Sequence, residues 1–254
     1  MHPMRLIPPL PETAPSPIAQ LVDSRLQQAN GKLSVDDVVS ILQEAIIRGI
    51  YAPGRALRQD DLAHAMGISK IPIREALRTL QANGFVELHQ HRGAIVKELT
   101  LAQLREAFYL REMLEPDLMR DATAHMDDAT LDKLEALVAQ MDGETNAWRF
   151  SELNAIFHQT LYAPSGRALS MQILAMLQGH IQRMSFMQLS LSGHNNSANE
   201  EHRAIVAACR RRDASQAVRL VEQHVAHIRQ VILVLYEQQS ACLPPLSALR
   251  EDQP

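Results

Sequence analysis

Three histidines and one asparagine in the C-terminal half of the chain have side chains and a spacing that suit a metal site. Asn154 and His158 are four residues apart, so on a helix both side chains leave the same face. His202 and His224 each stand beside the apolar positions of a later amphipathic segment. Imidazole nitrogens bind zinc, nickel, iron or manganese, and an amide oxygen can complete the ligand set. We therefore predict a shared divalent metal site, although the same spacing also fits separate core histidines with their own hydrogen-bond partners.

A row of cations over residues 70–78 is the second group that could bind a ligand. Lys70, Arg74 and Arg78 are spaced by four residues, so they lie along one face of a helix. The other face carries apolar residues at helical spacing, namely Ile73, Ala76, Leu77 and Leu80. A helix that is apolar on one side and cationic on the other suits insertion into a phosphate-lined DNA groove. The plainer interpretation is a surface helix with ordinary cations.

The residues around this row favour the DNA-binding interpretation. Gly67 can take the positive φ that ends one helix, Ser69 can cap the next, and Pro72 fits a first helical turn. The neighbouring elements are predicted as two helices and a hairpin: helices over residues 34–49 and 59–66, and strands over 85–88 and 94–96. Together they predict a winged helix-turn-helix with a polar tip that would lie against the minor groove or the DNA backbone.

The predicted DNA-contacting residues lie before and along the recognition helix and at the tip of the wing. They are Arg58, Ser69, Lys70, Ile71, Arg74, Arg78, His91, Arg92 and Gly93. The DNA-binding region is hardly basic, because residues 31–98 hold nine Lys/Arg and eight Asp/Glu. We therefore expect its affinity for DNA to depend on where the charges sit, and dimerisation to help by doubling the phosphate contacts.

After residue 98 the apolar pattern becomes helical throughout. Six helices are predicted, over residues 100–125, 130–141, 145–161, 167–191, 198–211 and 214–238. Short connections between them imply an antiparallel bundle. The fold class is thus mainly α, with an N-terminal winged helix-turn-helix followed by this bundle. The predicted divisions are a disordered Pro-rich tail, the DNA-binding domain, the helical effector and dimerisation domain and a flexible C-terminal tail: residues 1–33, 34–98, 99–238 and 239–254.

Composition predicts a cytoplasmic protein. A chain of 254 residues is long enough for two ordinary domains. Because 46% of the residues are hydrophobic, these domains can bury sizeable cores. Only Cys209 and Cys242 are present, too few for a disulfide framework, and a reducing compartment fits them. No segment approaches the roughly 20 apolar residues of a membrane span, and the N-terminus lacks the pattern of a signal peptide.

Residues 34–98 resemble the DNA-binding domain of GntR-type bacterial transcription regulators. The family pattern Ser-Arg-Thr-Pro-Val-Arg-Glu-Ala-Leu appears here as Ser-Lys-Ile-Pro-Ile-Arg-Glu-Ala-Leu over residues 69–77. The likeness extends through the Pro53-Gly54 turn, Asn83-Gly84 and Gly93. Two residues depart from the pattern. Lys70 replaces an arginine, so a bidentate guanine contact becomes a point charge, and Ile71 replaces a threonine, which removes a hydroxyl.

Residues 100–238 resemble the helical FCD effector domain of the FadR-type branch, in its six-helix VanR-like form. The resemblance implies a metal bound by an Asp-x-x-x-His pair and two later histidines, which match Asn154, His158, His202 and His224. Asn154 stands where aspartate is usual, so we expect looser metal binding. The resemblance also implies that Arg111 reaches the cavity and meets a carboxylate effector. The alternative for Arg111 is a surface salt bridge with Glu112 or Glu115.

These observations predict a ligand-responsive transcription regulator, a repressor of a metabolic operon, that binds a small organic acid. As a homodimer it would read a palindromic DNA operator. A constitutive DNA-binding dimer with a purely structural bundle is the alternative. A metal-dependent hydrolase fits less well, because the sequence has no His-Glu-x-x-His helix, nucleophile elbow or phosphate-binding glycine loop. We therefore expect no enzymatic activity.

Overall fold

The N-terminal domain in the computed structural model consists of four helices and a small sheet. The structure describes residues 17–29, 31–89, 93–192 and 196–242. In chain order the elements of this domain are α1 (Pro17–Gln28), α2 (Val35–Ile47), β1 (Ala56–Leu57), α3 (Gln59–Met66), α4 (Lys70–Ala82), β2 (Val86–His89) and β3 (Gly93–Val96). Helices α2 to α4 and the sheet form the winged helix-turn-helix, with α4 as its recognition helix.

Local sequence signals explain where these helices begin and end. Ser34 and Asp37 form a capping box at the start of α2, in which the Ser34 hydroxyl accepts from the Asp37 backbone N–H at 3.1 Å. Gly67 ends α3 with φ of 65°, a left-handed conformation that glycine adopts without steric cost. Ser69 occupies the N-cap position of α4, but its side chain makes no capping hydrogen bond, contrary to our prediction.

The sheet is antiparallel with the strand order β1-β3-β2, so the predicted hairpin gains a third strand. Strand β1 has only two residues, which is too short to leave a periodic signal in the sequence. Gly93 begins β3 with φ of 77°, and a Cβ atom there would lie 2.7 Å from the Leu57 carbonyl oxygen. The pairing of β3 with β1 therefore requires glycine at residue 93.

The C-terminal domain is a bundle of helices, and with it the mainly α fold class is confirmed. Its elements are α5 (Leu101–His125), α6 (Asp128–Met141), α7 (Ala147–Tyr162), a 3-10 turn (Ala163–Ser165), α8 (Ala168–Ser192), α9 (Asn196–Arg210) and α10 (Ala214–Cys242). One apolar core joins them, and its largest fully buried side chains include Tyr162, Phe108 and Phe157. Among the described residues, no helix is long and apolar enough to cross a membrane.

Both predicted tails need correction. Residues 17–28, which we assigned to a disordered tail over 1–33, form α1, and its Ile18 and Val22 are buried against the winged helix-turn-helix. The sequence hints at this short amphipathic helix through Ile18, Leu21, Val22 and Leu26. At the other end, α10 continues to Cys242 rather than ending at residue 238. Within these two tails, residues 1–16, 30 and 243–254 lie outside the described residues.

The two domains pack against each other along α8. Trp148 of α7 and Phe186 of α8 contact the core of the N-terminal domain, and their rings meet edge to face with centroids 6.5 Å apart. Gln43 of α2 donates a hydrogen bond to the Gln182 side chain of α8 at 3.2 Å. The bundle therefore supports the face of the winged helix-turn-helix that carries Gln43.

Candidate metal and ligand cavity and candidate DNA-binding surface

The bundle brings the three predicted histidines together from three different helices. His158 lies on α7, His202 on α9 and His224 on α10, and all three are buried. Each can place one ring nitrogen so that the three atoms lie within 4.8 Å of one another. The ring centroids are 4.9 to 5.3 Å apart. Three imidazoles at such distances can share one divalent ion, as zinc sites with three histidines do.

The unpaired nitrogens of this cluster fit a metal better than a hydrogen-bonded core. Neither ring nitrogen of His202 has a hydrogen-bond partner among the described residues, and His158 Nδ1 also lacks one. Leaving buried polar atoms unpaired is costly, so histidines that serve only as core residues normally have partners. Burial, followed by the neighbouring histidines, holds the pKa of His158 and of His202 well below the ordinary value. Both imidazoles are therefore neutral near pH 7 and keep the lone pairs that a metal needs.

Glu201 orients His224 within this cluster. The Glu201 carboxylate accepts hydrogen bonds from His224 Nδ1 at 2.7 Å and from His227 Nδ1 at 2.6 Å. Burial raises the pKa of Glu201, but the hydrogen bonds from the two histidines outweigh it and lower the pKa overall. With its proton on Nδ1, His224 presents Nε2 as the free ligand atom. Glu201 was not predicted as part of the site, because its neighbour His202 occupies the inward face of α9 and the partners of Glu201 lie on α10.

Asn154 stands one helical turn before His158 on α7, and both residues line the same cavity. Asn154 is half-buried, and its side chain is accessible from the cavity. An amide oxygen is a neutral ligand, whereas a carboxylate at this position would cancel one positive charge of a bound metal. The candidate donor set therefore consists of three imidazoles and one amide, with no carboxylate among them.

Arg111 is buried rather than on the surface, and it lines the cavity. Its Nε donates to Glu115 Oε1 at 2.5 Å, and the Tyr162 hydroxyl donates to Glu115 Oε2 at 2.8 Å. Burial and then the Glu115 carboxylate raise the pKa of Tyr162 well above its ordinary value, so the phenol keeps the proton it donates. Glu115 is one of the partners expected for Arg111, but this pair is buried and fixes the guanidinium at the cavity wall.

The cavity has a volume of about 470 Å³ and is lined mainly by residues of the bundle, together with three residues of the winged helix-turn-helix. Arg111, Asn154, His158 and His224 line one part of it. Among its described lining residues, Arg111 is the only one that carries a permanent charge. A cavity of this size, with a cation and potential metal ligands in its wall, suits a small anionic molecule.

The candidate DNA-binding surface is the exposed face of α4 with the residue before α3. Arg58, Ser69, Lys70, Ile71, Arg74 and Arg78 are all exposed. In the described part of the chain, Arg58, Arg74 and Arg78 form no ion pair, whereas Lys70 pairs with Asp60 of α3. A pair between two such exposed side chains contributes little stability, so Lys70 can exchange Asp60 for a phosphate.

The wing is described only in part. Gly93 lies at the start of β3, where its left-handed conformation serves the sheet as explained above. His91 and Arg92, the other predicted contacts of the wing tip, lie outside the described residues. The described residues therefore bring the predicted DNA contacts together on α4 and beside α3, and add a structural reason for Gly93.

Two family models match the chain, one for each domain. The model for bacterial regulatory proteins of the gntR family matches residues 34–96, and the FCD domain model matches residues 106–227. Among relatives, the chain is 28% identical over 201 residues to an uncharacterised HTH-type transcriptional regulator in an unstable DNA locus of Streptomyces ambofaciens. That match covers 79% of this chain and 85% of the relative. A second match, 24% identical over 206 residues, is to the HTH-type transcriptional repressor RspR of Escherichia coli, covering 80% and 90%.

Solved structures agree with these matches. A GntR family transcriptional regulator from Pseudomonas syringae pv. tomato is 25% identical with a TM-score of 0.53, covering 88% of this chain and 97% of that one. McbR/YncC of E. coli is 21% identical with a TM-score of 0.64, covering 82% and 100%, and shows likeness of fold alone. The resemblance recognised from residues 69–77 is thereby confirmed. The chain belongs to the gntR family of bacterial regulatory proteins and is a DNA-binding transcription regulator with a C-terminal FCD domain.

Proposed function

We propose that this regulator senses a small carboxylate, which binds in the cavity with the help of a divalent metal ion. The observation that carries the proposal is the set of buried nitrogens of His158 and His202 that lack partners among the described residues, next to a cavity lined by His158, His224 and Arg111. In a purely structural core, each buried imidazole nitrogen would have a hydrogen-bond partner, and side chains would fill the cavity. The constitutive alternative, in which the bundle is only structural, gives no reason for either feature.

The metal would be held by His158, His202 and His224, with the Asn154 amide oxygen as a fourth ligand. Zinc, nickel, iron or manganese suits such a set. A divalent ion supplies positive charge that attracts a carboxylate oxygen. Because Asn154 is neutral, the bound ion keeps its full charge, and an anionic ligand can compensate for it. Glu201 keeps the His224 ring in the orientation that exposes Nε2.

Arg111 would orient the carboxylate. Its Nε is committed to Glu115, so the two terminal nitrogens of the guanidinium are the groups that can meet a ligand from the cavity wall. Guanidinium and carboxylate groups match in shape and charge, and such pairs form strong, directional hydrogen bonds. The buried Glu115 and Tyr162 preorganise Arg111, which lowers the entropic cost of ligand binding.

We also propose that the protein acts as a homodimer on a two-fold operator. Helix α5 exposes Tyr109, Leu110 and Met113, and helix α8, which packs beside it, exposes Leu169, Ile173 and Met176. Apolar side chains exposed in this number on two adjacent helices favour burial against a second copy. A two-fold dimer would place two recognition helices on two half-sites. Repression of a metabolic operon is the outcome that we expect, and the relative RspR is named a transcriptional repressor.

Metal analysis and thermal shift together test the proposed function. Purified wild-type protein should contain a divalent metal, and small carboxylates should raise its melting temperature unless a chelator is present. The variant His202→Ala should lose the metal and the response, while His125→Ala, which removes an exposed histidine, should keep both. Unchanged metal content in His202→Ala would contradict the metal site. A wild-type protein that responds to neither metal nor acid would favour the constitutive regulator.

A further inference from the structure

The cavity is built by both domains, because three residues of the winged helix-turn-helix line it. Gln43 comes from α2, Asn83 caps the C-terminal end of the recognition helix α4, and Phe85 follows at the start of the wing. A Cβ atom at Gly179 of α8 would lie 3.1 Å from the Phe85 ring and 3.3 Å from the Asn83 carbonyl oxygen. The end of the recognition helix therefore touches the helix that forms the cavity wall, and any molecule in the cavity lies next to both domains.

A chain of uncharged hydrogen-bonding groups crosses this boundary inside the cavity. Gln43 donates to Gln182 Oε1 at 3.2 Å, and Gln182 Nε2 donates to the Ser151 hydroxyl at 3.5 Å. All three side chains line the cavity. Each amide uses one N–H in these bonds. Counting hydrogen bonds to described residues, Gln43 keeps its oxygen and a second N–H, and Gln182 keeps its own second N–H. Ser151 precedes His158 by seven residues on α7, which places this group about 10 Å along the helix from the histidine cluster.

We propose that Gln43, Gln182 and Ser151 form a second subsite, which binds the hydroxyl groups of a polyhydroxylated carboxylate such as a sugar acid. The carboxylate lies at Arg111 and the hydroxylated part reaches the DNA-binding domain; the subsite thus rests on the carboxylate site proposed above. Hydroxyl groups can both donate to and accept from the amides. An apolar chain of the same length would cover these amides without pairing them, which is unfavourable in a buried site.

The subsite gives the ligand a direct contact with the domain that reads DNA. Gln43 belongs to α2, which packs against α4 in the core of the winged helix-turn-helix. A ligand hydroxyl bound between Gln43 and Gln182 replaces or extends the single hydrogen bond between them. Ligand binding thereby changes how α2 is held against α8, and no signal has to pass through the short segment between β3 and α5.

Matched probe acids and a variant in the DNA-binding domain test the subsite. The probes are gluconate and other sugar acids, each compared with the straight-chain acid of the same carbon number, such as hexanoate. The proteins are full-length wild type, Gln43→Ala, Gln182→Ala and the control Gln140→Ala, whose glutamine is exposed on α6 outside the cavity. Calorimetry or thermal shift measures the affinity for each probe with metal present.

We expect sugar acids to bind wild type more tightly than straight-chain acids. Gln43→Ala and Gln182→Ala should each lower the affinity for the sugar acid about tenfold without lowering the affinity for the straight-chain acid, which no longer covers an unpaired amide; Gln140→Ala should change neither affinity. A merely structural role of Gln43 would affect both kinds of acid alike. Two results would overturn the subsite but not the carboxylate site. The first is equal affinity of wild type for the two kinds of acid, and the second is an unchanged affinity for the sugar acid in both variants. If no acid of either kind binds wild type, the proposed function itself fails.

Discussion

Glu201 accepts a hydrogen bond from His224 Nδ1 at 2.7 Å, so a carboxylate of α9 fixes the orientation of a histidine of α10. The same carboxylate binds His227 Nδ1 through its other oxygen. This arrangement holds His224 in one tautomer and one ring orientation before any metal arrives, and it gives the first of four predictions.

Glu201→Gln should weaken metal binding without removing a ligand atom. An amide accepts a weaker hydrogen bond from His224 and also brings donors, so the ring loses its fixed tautomer. We expect the dissociation constant for Zn²⁺ to rise by about tenfold to a hundredfold, measured by competition with a chromophoric chelator. Glu200→Gln is the matched control, because Glu200 is the exposed neighbour on α9. Equal affinities for the two variants would argue against an orienting role of Glu201.

Arg74→Ala should weaken operator binding. Arg74 is exposed on α4 between Lys70 and Arg78, and it forms no ion pair within the described residues. We expect about a tenfold to hundredfold loss of affinity in a binding titration on operator DNA. Arg211→Ala, which removes an exposed arginine of the bundle, should have no such effect. A variant that binds the operator as tightly as wild type would show that α4 is not the recognition helix.

Gly93→Ala should destabilise the wing for two separable reasons. The residue has φ of 77°, and a Cβ atom would lie 2.7 Å from the Leu57 carbonyl oxygen. Gly143→Ala is a direct control, because Gly143 has φ of 74° but an open surrounding. We expect a loss of about 1 kcal/mol of unfolding free energy for the conformation alone in Gly143→Ala. Gly93→Ala should lose about 2 kcal/mol or more, and equal losses in denaturant unfolding would mean that the sheet relaxes around the methyl group.

Met113→Glu should dissociate the proposed dimer. Met113 is 60% exposed on α5, next to Tyr109, which is 59% exposed. A carboxylate buried in an apolar interface is strongly unfavourable, so the dimer dissociation constant should rise at least about tenfold in sedimentation equilibrium. Ile156→Glu on α7 places the same charge at another exposed apolar position and serves as control. If Met113→Glu associates as wild type does, the dimer interface does not include this face of α5.

Local signals allowed most of the helices to be predicted from sequence, whereas contacts between distant segments did not follow from it. Gly67 and the Ser34 capping box mark helix ends through their own backbone chemistry, so a short window of sequence is enough. The partners of Arg111 were harder to place, since Tyr162 reaches Glu115 across 47 residues of chain. The burial of that group depends on the packing of α5 and α7, which no periodicity reveals.

In the candidate site, too, local spacing could be interpreted from the sequence, whereas contacts between distant segments could not. Helical spacing pointed to His158, His202 and His224 as inward-facing residues, and the structure brings them together. Glu201 escaped prediction because its hydrogen-bond partners lie 23 and 26 residues further along the chain. The DNA-domain wall of the cavity was also missed, because Gln43 and Phe85 reach it only through the docking of the two domains on α8.

The buried pair of Arg111 and Glu115 makes the cavity dependent on two inputs. Glu115 cancels the charge of Arg111, and His158 and His202 are neutral near pH 7, so the metal-free cavity exerts little net pull on an anion. A divalent ion would change the local charge by two units at once. The regulator would then behave as a coincidence detector, because it would bind the acid only in a cell that also supplies the metal. Starvation for the metal would abolish the response as completely as absence of the acid.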